Sequence, residues 1–443
     1  AAVGREHMGR HSRGRKDGGS GDVGAIAPKR VRGGSVALGT GAAGARLSRV
    51  SMAVLPLLGL VVALTLAGCS AWEAPTPSVV TYAPSPTPTP KPTPTQPSGT
   101  FTRIATVASH GDGYTATLLA DGRVLIAGGT DITYKALSSA ELYDPQSGAF
   151  TPTDSMTVGR TGHTATLLKD GRVLIAGGAS SQNSDFLASA EVYDPKTDTF
   201  WPTGSLATAR ESQTATALPD GRVLMIGGDQ GCVRGECAIV PSIEIYDPGR
   251  GVFSPAGKLA VLRAGHTATP LHDGRVLIVG GQDAKGHPLT SAEVYSPDTS
   301  TSVPTASLNR ARSSHIAALL LGGRVLIAGG LNEASAELYD PVTGTFGGAG
   351  PMTTARAFHS ATTLLDGRVL VAGGVIATGA PSAADPASAE LYDPWTGTFS
   401  RTGSMTTARS GQVAIRLYDG RVFIFGRDLA SGGASDSAEF YQP

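Results

Sequence analysis

Over residues 98–443 the chain shows two recurring hydrophobic textures. One is an apolar/polar alternation such as His163-Thr-Ala-Thr-Leu-Leu. The other is a continuous apolar run closed by paired glycines, Val173-Leu-Ile-Ala-Gly-Gly178. The first has the period of a half-buried strand, and the second is too short and too β-branched for a helix. Between them stands Asp170-Gly171, a hairpin signal that predicts a type I′ turn with positive φ at both central residues. A variable loop leads to Ser189-Ala-Glu-Val-Tyr-Asp-Pro195, then a second turn and a short segment around Phe200. In that second turn, of the pattern Asp-Pro-x-Thr-Gly, proline fixes φ and glycine accepts the left-handed conformation. The unit reads as four antiparallel strands, a to d, in about 50 residues.

The unit repeats. Gly-Arg-Val recurs with its glycine at 122, 171, 221, 274, 323, 367 and 420, a spacing of 44 to 53 residues. The double glycine after an apolar strand, the Glu-x-Tyr-Asp-Pro and the aromatic six or seven residues beyond that tyrosine resemble the kelch repeat. The resemblance implies an all-β, seven-bladed β-propeller, each blade a twisted four-stranded sheet around a common axis. Length alone suggests several domains at roughly 100–200 residues each, but a repeat array of this kind makes one domain over 98–443. The last repeat stops after strand c, at Tyr441-Gln-Pro443, and Ser98-Gly-Thr-Phe101 matches Thr396-Gly-Thr-Phe399. The N-terminal strand is therefore expected to close the last blade and remove two exposed edges.

Upstream the texture changes. Residues 53–67, AVLPLLGLVVALTLA, form one apolar run after Arg46 and Arg49, and it ends in Leu66-Ala-Gly-Cys-Ser70. The run falls short of the ~20 residues that span a bilayer, and its basic flank and small terminal residues read as an export signal. Leu-Ala-Gly-Cys resembles a bacterial lipobox. That implies cleavage before Cys69, a lipid on its sulfur, and an exported protein anchored on the outer side of the cell membrane. Residues 1–51 are Gly/Arg-rich and aperiodic, and are expected to be unstructured or a misassigned extension, with translation starting near Met52. Residues 52–69 are the signal with its lipobox. Residues 70–97, dense in Pro, Thr and Ser, form an extended linker.

Charge narrows the partners. The formal net charge is zero, with 36 basic and 36 acidic residues. The basic excess sits in the first 50 residues; from Phe101 onward 32 acidic residues face 25 basic ones, so nucleic acid has no electrostatic support as a partner. The 59 glycines argue for many tight turns and against long helices.

Seven glutamates recur inside strand c: Glu141, Glu191, Glu244, Glu293, Glu337, Glu390 and Glu439. Six arginines precede strand a: Arg160, Arg210, Arg263, Arg312, Arg356 and Arg409. Three residues after each stands His163, Gln213, His266, His315, His359 or Gln412. An active site needs one constellation, whereas these groups return in nearly every blade. The glutamates are expected to be buried in bidentate pairs with the arginines, and the Arg and His/Gln positions also to line the channel mouth. Imidazoles suit Zn or Cu, but four of them spread around a seven-fold channel stand too far apart to share one ion. No metal and no cofactor is expected. Kelch propellers include galactose oxidase, whose copper site uses tyrosines, histidines and a cysteine cross-linked to a tyrosine. Here Cys232 and Cys237, the two cysteines of the body, lie in one loop of blade 3. In an exported protein they are expected to form a disulfide worth about 2 kcal/mol, leaving no free cysteine for such a cross-link.

Strand order sorts the loops onto two faces. Loops a–b and c–d are short and nearly identical; loops b–c and d–a vary, from Leu331–Ala334 to Asp229–Pro241 and Val375–Ala387. Variable loops on a rigid scaffold are where binding usually resides. The expected ligand-binding positions are Tyr134, Phe186, Arg234 and Asp385, with the rim residues Tyr114, Arg160, His163, Arg263, His266 and His359. Three departures from the template are Tyr114 in place of His or Gln, Arg427 in place of the second glycine, and Ser302 in place of Phe. The favoured expectation is a surface-anchored, monomeric, non-catalytic module for a glycan or extracellular protein. The alternative is a carbohydrate-active enzyme of galactose oxidase-like or sialic-acid epimerase-like type. An enzyme needs one asymmetric cluster of acid, base and polar groups, and the repeat displays none in the sequence.

Overall fold

The computed structural model describes residues 99–107, 110–180, 185–233, 236–375, 385–429 and 436–443. The expected signal, Cys69, the linker and Arg234 lie outside them. Among the described residues no helix is long and apolar enough to cross a membrane.

The first strand is β1 (Thr100–Val107). Blade 1 follows as β2 (Tyr114–Leu118), β3 (Val124–Gly128), β4 (Ala140–Asp144) and β5 (Ala149–Pro152). Blade 2 is β6 (Thr164–Leu167), β7 (Val173–Ala176), β8 (Ala190–Asp194) and β9 (Thr199–Thr203). Blade 3 is β10 (Thr214–Ala217), β11 (Val223–Ile226), β14 (Ser242–Asp247) and β15 (Val252–Lys258), with a separate hairpin, β12 (Asp229–Val233) and β13 (Glu236–Ile239), in its b–c loop. Blade 4 runs from β16 (Thr267–Pro270) to β19 (Thr301–Pro304), blade 5 from β20 (Ile316–Leu319) to β23 (Thr345–Ala349), and blade 6 from β24 (Ser360–Thr363) to β27 (Thr398–Arg401). Blade 7 is β28 (Val413–Arg416), β29 (Val422–Arg427) and β30 (Asp436–Gln442), completed on its outer edge by β1. Successive inner strands touch, and β28 returns to β2, so the ring closes after seven blades.

Closure uses the strand expected for it. β1 pairs antiparallel with β30, Phe101 opposite Tyr441, and their rings lie 4.8 Å apart. The same strand c Tyr to strand d Phe pairing recurs at Tyr143–Phe150, Tyr193–Phe200, Tyr246–Phe253, Tyr339–Phe346 and Tyr392–Phe399. Blade 4 compensates for its missing ring, because the Ser302 hydroxyl donates to Glu293 at 2.7 Å.

The core lies between blades. Strands b are buried on both faces, which is why their apolar runs are continuous. Leu125 and Ala127 of β3 pack with Val173 and Ile175 of β7, and each neighbouring pair of blades repeats the arrangement. At the seam between blades 7 and 1 the filling is aromatic, with Tyr143 stacked on Phe423 at 4.6 Å.

The a–b turns differ from the expected type I′. The Gly122 N–H donates to Leu119 O at 3.1 Å and the Leu119 N–H to Arg123 O at 2.8 Å. Gly122 has φ 92°, and Asp121 is not among the residues of positive φ. The loop therefore has three residues, a type I turn followed by a left-handed glycine bulge. In blade 3 the first loop position is Pro219, whose φ near about −65° suits the first central position of a type I turn.

Candidate functional site

The recurring arginines do not line a rim. Arg160, Arg210, Arg263, Arg312, Arg356 and Arg409 are among the largest fully buried side chains. Each runs along the base of its blade's b–c loop. Arg160 donates through Nη1 to Gly177 O (3.0 Å) and Ser189 O (3.1 Å), and through Nη2 to Glu191 Oε1 (2.7 Å). The second Glu191 oxygen accepts the Thr157 N–H at 2.8 Å, tying the d–a loop to strand c. The pairing is thus single-oxygen rather than bidentate, because the other carboxylate oxygen is needed for backbone N–H groups. Burial holds Arg160 and Arg263 below the usual arginine range, with Glu191 and Glu293 opposing it.

The next ring of expected rim residues is also sealed. His163, His266 and His315 set Nε2 against Thr115, Thr214 and Thr267 of the preceding blade at 2.9, 3.0 and 3.0 Å. His359 faces Ile316 in place of a threonine and lacks that hydroxyl partner. Burial first, then the adjacent arginine, brings all four imidazoles down to about 3. They are neutral struts between blades. Tyr114 plays the part of the glutamines, its hydroxyl donating to Phe425 O at 2.9 Å as Gln213 Nε2 does to Ala176 O at 3.0 Å. Tyr114, Arg160, His163, Arg263, His266 and His359 are therefore placed beneath the surface, where propeller packing uses them.

Six arginines serve seven glutamates, and His110 takes the seventh place. Its Nδ1 lies 3.2 Å from Gly128 O and its Nε2 3.8 Å from Glu141, the two groups an arginine would reach. Its backbone N–H donates to Asp436 of blade 7. Burial pulls the imidazole pKa down, but Glu141, the Gly128 carbonyl and Asp436 outweigh it, so the net shift is upward. Nearby, Arg427 reaches Asp112 at 3.0 Å across the same seam, which accounts for its departure from the repeat. Sequence reasoning missed His110 because it precedes Tyr114 by four residues, one more than the Arg-to-His spacing elsewhere; an otherwise partnerless Glu141 was the available signal.

On the face of the b–c and d–a loops, the remaining expected residues fare differently. Tyr134 is exposed, on a loop organised by Asp131, whose carboxylate accepts the Thr133 and Lys135 N–H groups. Phe186, half-buried, lies over Gly231 of the β12–β13 hairpin. Cys232 and Cys237 face each other across that hairpin at disulfide distance, and the Cys237 N–H reaches Ala284 O of blade 4 at 2.6 Å. Phe186 and the hairpin thus make a ridge over blades 2 to 4. Asp385, on blade 6, is exposed and accepts the Ala387 N–H at 2.9 Å; nothing brings it to that ridge.

At the foot of the hairpin the repeat is broken. Glu211 and Asp229 are opposed in an antiparallel bridge, with N–H to O distances of 2.9 Å both ways. The same rung carries Thr161–Ala179, Ala264–Gln282 and Ala357–Val375 in other blades. Burial, then the charge of Asp229, pushes Glu211 up to about 7, and burial raises Asp229. Two acids facing each other across a bridge are unfavourable when both are ionised, so this pair holds a proton near neutrality. It is an asymmetric acidic cluster that the repeat alignment concealed.

The opposite face carries two concavities between blades. One, of about 410 Å³, lies between blades 1 and 2 and is lined by Asp121, Asp170, Arg172, Asp194 and Lys196. The other, of about 210 Å³, lies between blades 6 and 7 beside Leu365, Asp366 and Arg421.

The kelch-motif family model matches residues 263–309. No curated protein sequence matches significantly. Among solved structures, the chain is similar to a fungal alcohol oxidase of the AA5 family in complex with copper. The TM-score is 0.61 and the identity 18%, over 78% of this chain and 76% of that one. It is also similar to YjhT, with TM-score 0.51 and identity 15%, over 67% of this chain and 98% of that one. Such identities establish the fold alone. The described residues of this chain do not fit a copper centre. Cys232 and Cys237 stand at disulfide distance from each other, three imidazoles are turned onto threonines, and the described residues gather no group of three His, Cys, Asp or Glu side chains. Register and ring closure make residues 99–443 a seven-bladed β-propeller, and it carries a kelch motif at residues 263–309.

Proposed function

We propose that this propeller is a non-catalytic binding module, exported and anchored through a lipid on Cys69, that takes a glycan or extracellular protein on its b–c and d–a loop face. One observation carries the reading: the recurrent charged groups are consumed in packing, while the loops of this face differ in length and chemistry and raise an exposed ridge over blades 2 to 4. Tyr134, Phe186, Arg234 and Asp385 remain its proposed contacts. A glycan array and an extracellular-protein array, run beside oxidase and mutarotase assays, test it. Binding without turnover is expected, and turnover above background would overturn it.

A second reading, a carbohydrate-active enzyme, is favoured by the Glu211–Asp229 pair. A carboxyl group at about 7 can donate and accept a proton at physiological pH. If turnover is found, Glu211→Gln should abolish it; turnover untouched by that substitution would end this reading.

A further inference from the structure

On the face opposite the proposed site, the a–b turns form a ring around the axis. In five of the seven blades the residue before the turn dipeptide (Asp-Gly, or Gly-Gly in blade 5) lies against the turn glycine of the next blade. Leu321 approaches Gly367, Leu365 approaches Gly420, and Tyr418 approaches Gly122 while donating its hydroxyl to Leu119 O at 3.3 Å. Blades 1 to 4 carry Ala120, Lys169, Pro219 and His272 at this position. Leu321, Leu365 and Tyr418 are 71%, 67% and 67% exposed, and Trp395 on the adjacent c–d turn of blade 6 is 70% exposed. Blades 5 to 7 therefore present four large exposed apolar side chains on this face, with the 210 Å³ groove beside Leu365, Asp366, Asp419 and Arg421. Patches of this kind mark interaction surfaces.

Charge on this face is equally uneven. In six blades the turn aspartate clamps the arginine two residues on, as Asp121 does Arg123 at 2.7 Å and Asp419 does Arg421 at 2.7 Å. Four of these arginines also donate to a proline carbonyl of a neighbouring blade. In blade 5, Gly322 replaces the aspartate, and the exposed Arg324 keeps its turn bond, its carbonyl accepting the Leu320 N–H at 2.9 Å, while its side chain has no ion pair or hydrogen bond among the described residues. Its charge acts on Tyr392 of blade 6. That hydroxyl is buried and unpartnered, because Ala349 stands where Thr203 and Thr305 serve Tyr246 and Tyr339. One guanidinium without a clamp thus stands on the turn that also bears Leu321, and its charge is felt at Tyr392, three residues before Trp395.

We propose that the a–b/c–d face of blades 5 to 7 docks a peptide segment of a protein partner that bears a carboxylate flanked by apolar side chains, with Arg324 taking the carboxylate. The aliphatic Leu321 and Leu365 favour peptide side chains over a sugar, which would gain mainly from Trp395. The inference goes beyond the proposed function, and its test alters no residue of the loop face.

The probe is a set of labelled twelve-residue peptides with a central glutamate flanked by leucine and phenylalanine, beside matched glutamine and lysine sets, read by fluorescence anisotropy. The glutamate set is expected to bind about five-fold more tightly than the glutamine set, the scale of an exposed ion pair. Arg324→Gln should erase that preference without moving the melting temperature. Gly322→Asp, which rebuilds the clamp of the other six blades, should erase it too. Leu365→Ser should weaken the glutamate and glutamine sets alike. The proposal is overturned if no set binds below about 1 mM (some −4 kcal/mol), or if glutamate and glutamine sets bind equally. It is also overturned if oligogalacturonate or anionic phospholipid vesicles bind this face and the peptides do not, or if Leu365→Ser only dissolves a dimer seen by sedimentation.

Discussion

Replacing Arg263 with leucine tests the claim that the recurrent ion pairs are structural. Arg263 gives four hydrogen bonds, to Gly280 O (2.6 Å), Ser291 O (2.9 Å), Ser291 Oγ (2.9 Å) and Glu293 Oε1 (2.8 Å). Arg263→Leu leaves Glu293 fully buried with only the Ala260 and Val261 N–H groups and the Ser302 hydroxyl for partners. Breaking a buried pair from one side costs about 3–5 kcal/mol. The loss should also depend on pH. In the parent, burial pushes the Glu293 pKa up, but the Ala260 N–H, Ser302 and Arg263 outweigh it, so the net shift is downward. A depressed carboxyl stabilises above its unfolded value of about 4.3, and that stability is lost as pH falls through the folded value. In the variant, burial prevails and the folded pKa rises above the unfolded one, so the carboxylate destabilises at neutral pH and is relieved by protonation. The difference between parent and variant should therefore shrink to about half between pH 7 and pH 4.5. Guanidinium unfolding followed by tryptophan fluorescence at both pH values measures it. A loss below about 1 kcal/mol at pH 7, the scale of an exposed pair, or an equal loss at both pH values, would refute the reasoning.

Three further outcomes follow from the same geometry. His110 has a raised folded pKa, so its contribution is complete below its ordinary value of about 6.5 and is lost as pH climbs through the folded value; melting curves at pH 5.5 and 8.5 should show this loss in the parent and not in His110→Ala. Gly280 has φ 60°, and a Cβ there would sit 2.6 Å from Arg312 O, so Gly280→Ala should lower stability by about 2–3 kcal/mol in urea unfolding; a neutral result would mean that the neighbouring blade can retreat. Deleting β1 exposes the edge of β30 and strips Phe101 from Tyr441. The unfolding transition should broaden and fall, and an unchanged one would contradict closure through the N-terminus.

The repeat legible in the sequence determined most of the architecture. A four-residue β-branched run ending in two glycines has no low-energy alternative to a doubly buried strand. Six such runs and a seventh closed by Gly426-Arg427, with matching turns, specify a ring, down to the N-terminal strand that completes blade 7. The identity of the structural charges was legible as well, because Arg and Glu recur together in six blades. What only the tertiary structure decided is depth and direction. Arg160 and His163 read equally well as rim residues or interior struts until Ser189, Glu191 and Thr115 are seen around them. His110 stands in for an arginine through space, from a loop of different length, and spacing could not reveal it. Glu211 and Asp229 lie 18 residues apart in the sequence and become one acidic pair only when a backbone bridge sets them opposite each other. The Arg324 charge likewise reaches Tyr392 only because two blades are packed side by side. The pattern along a chain records which residues must be buried, whereas a site is a coincidence of side chains from different strands, and only the closed ring brings those together.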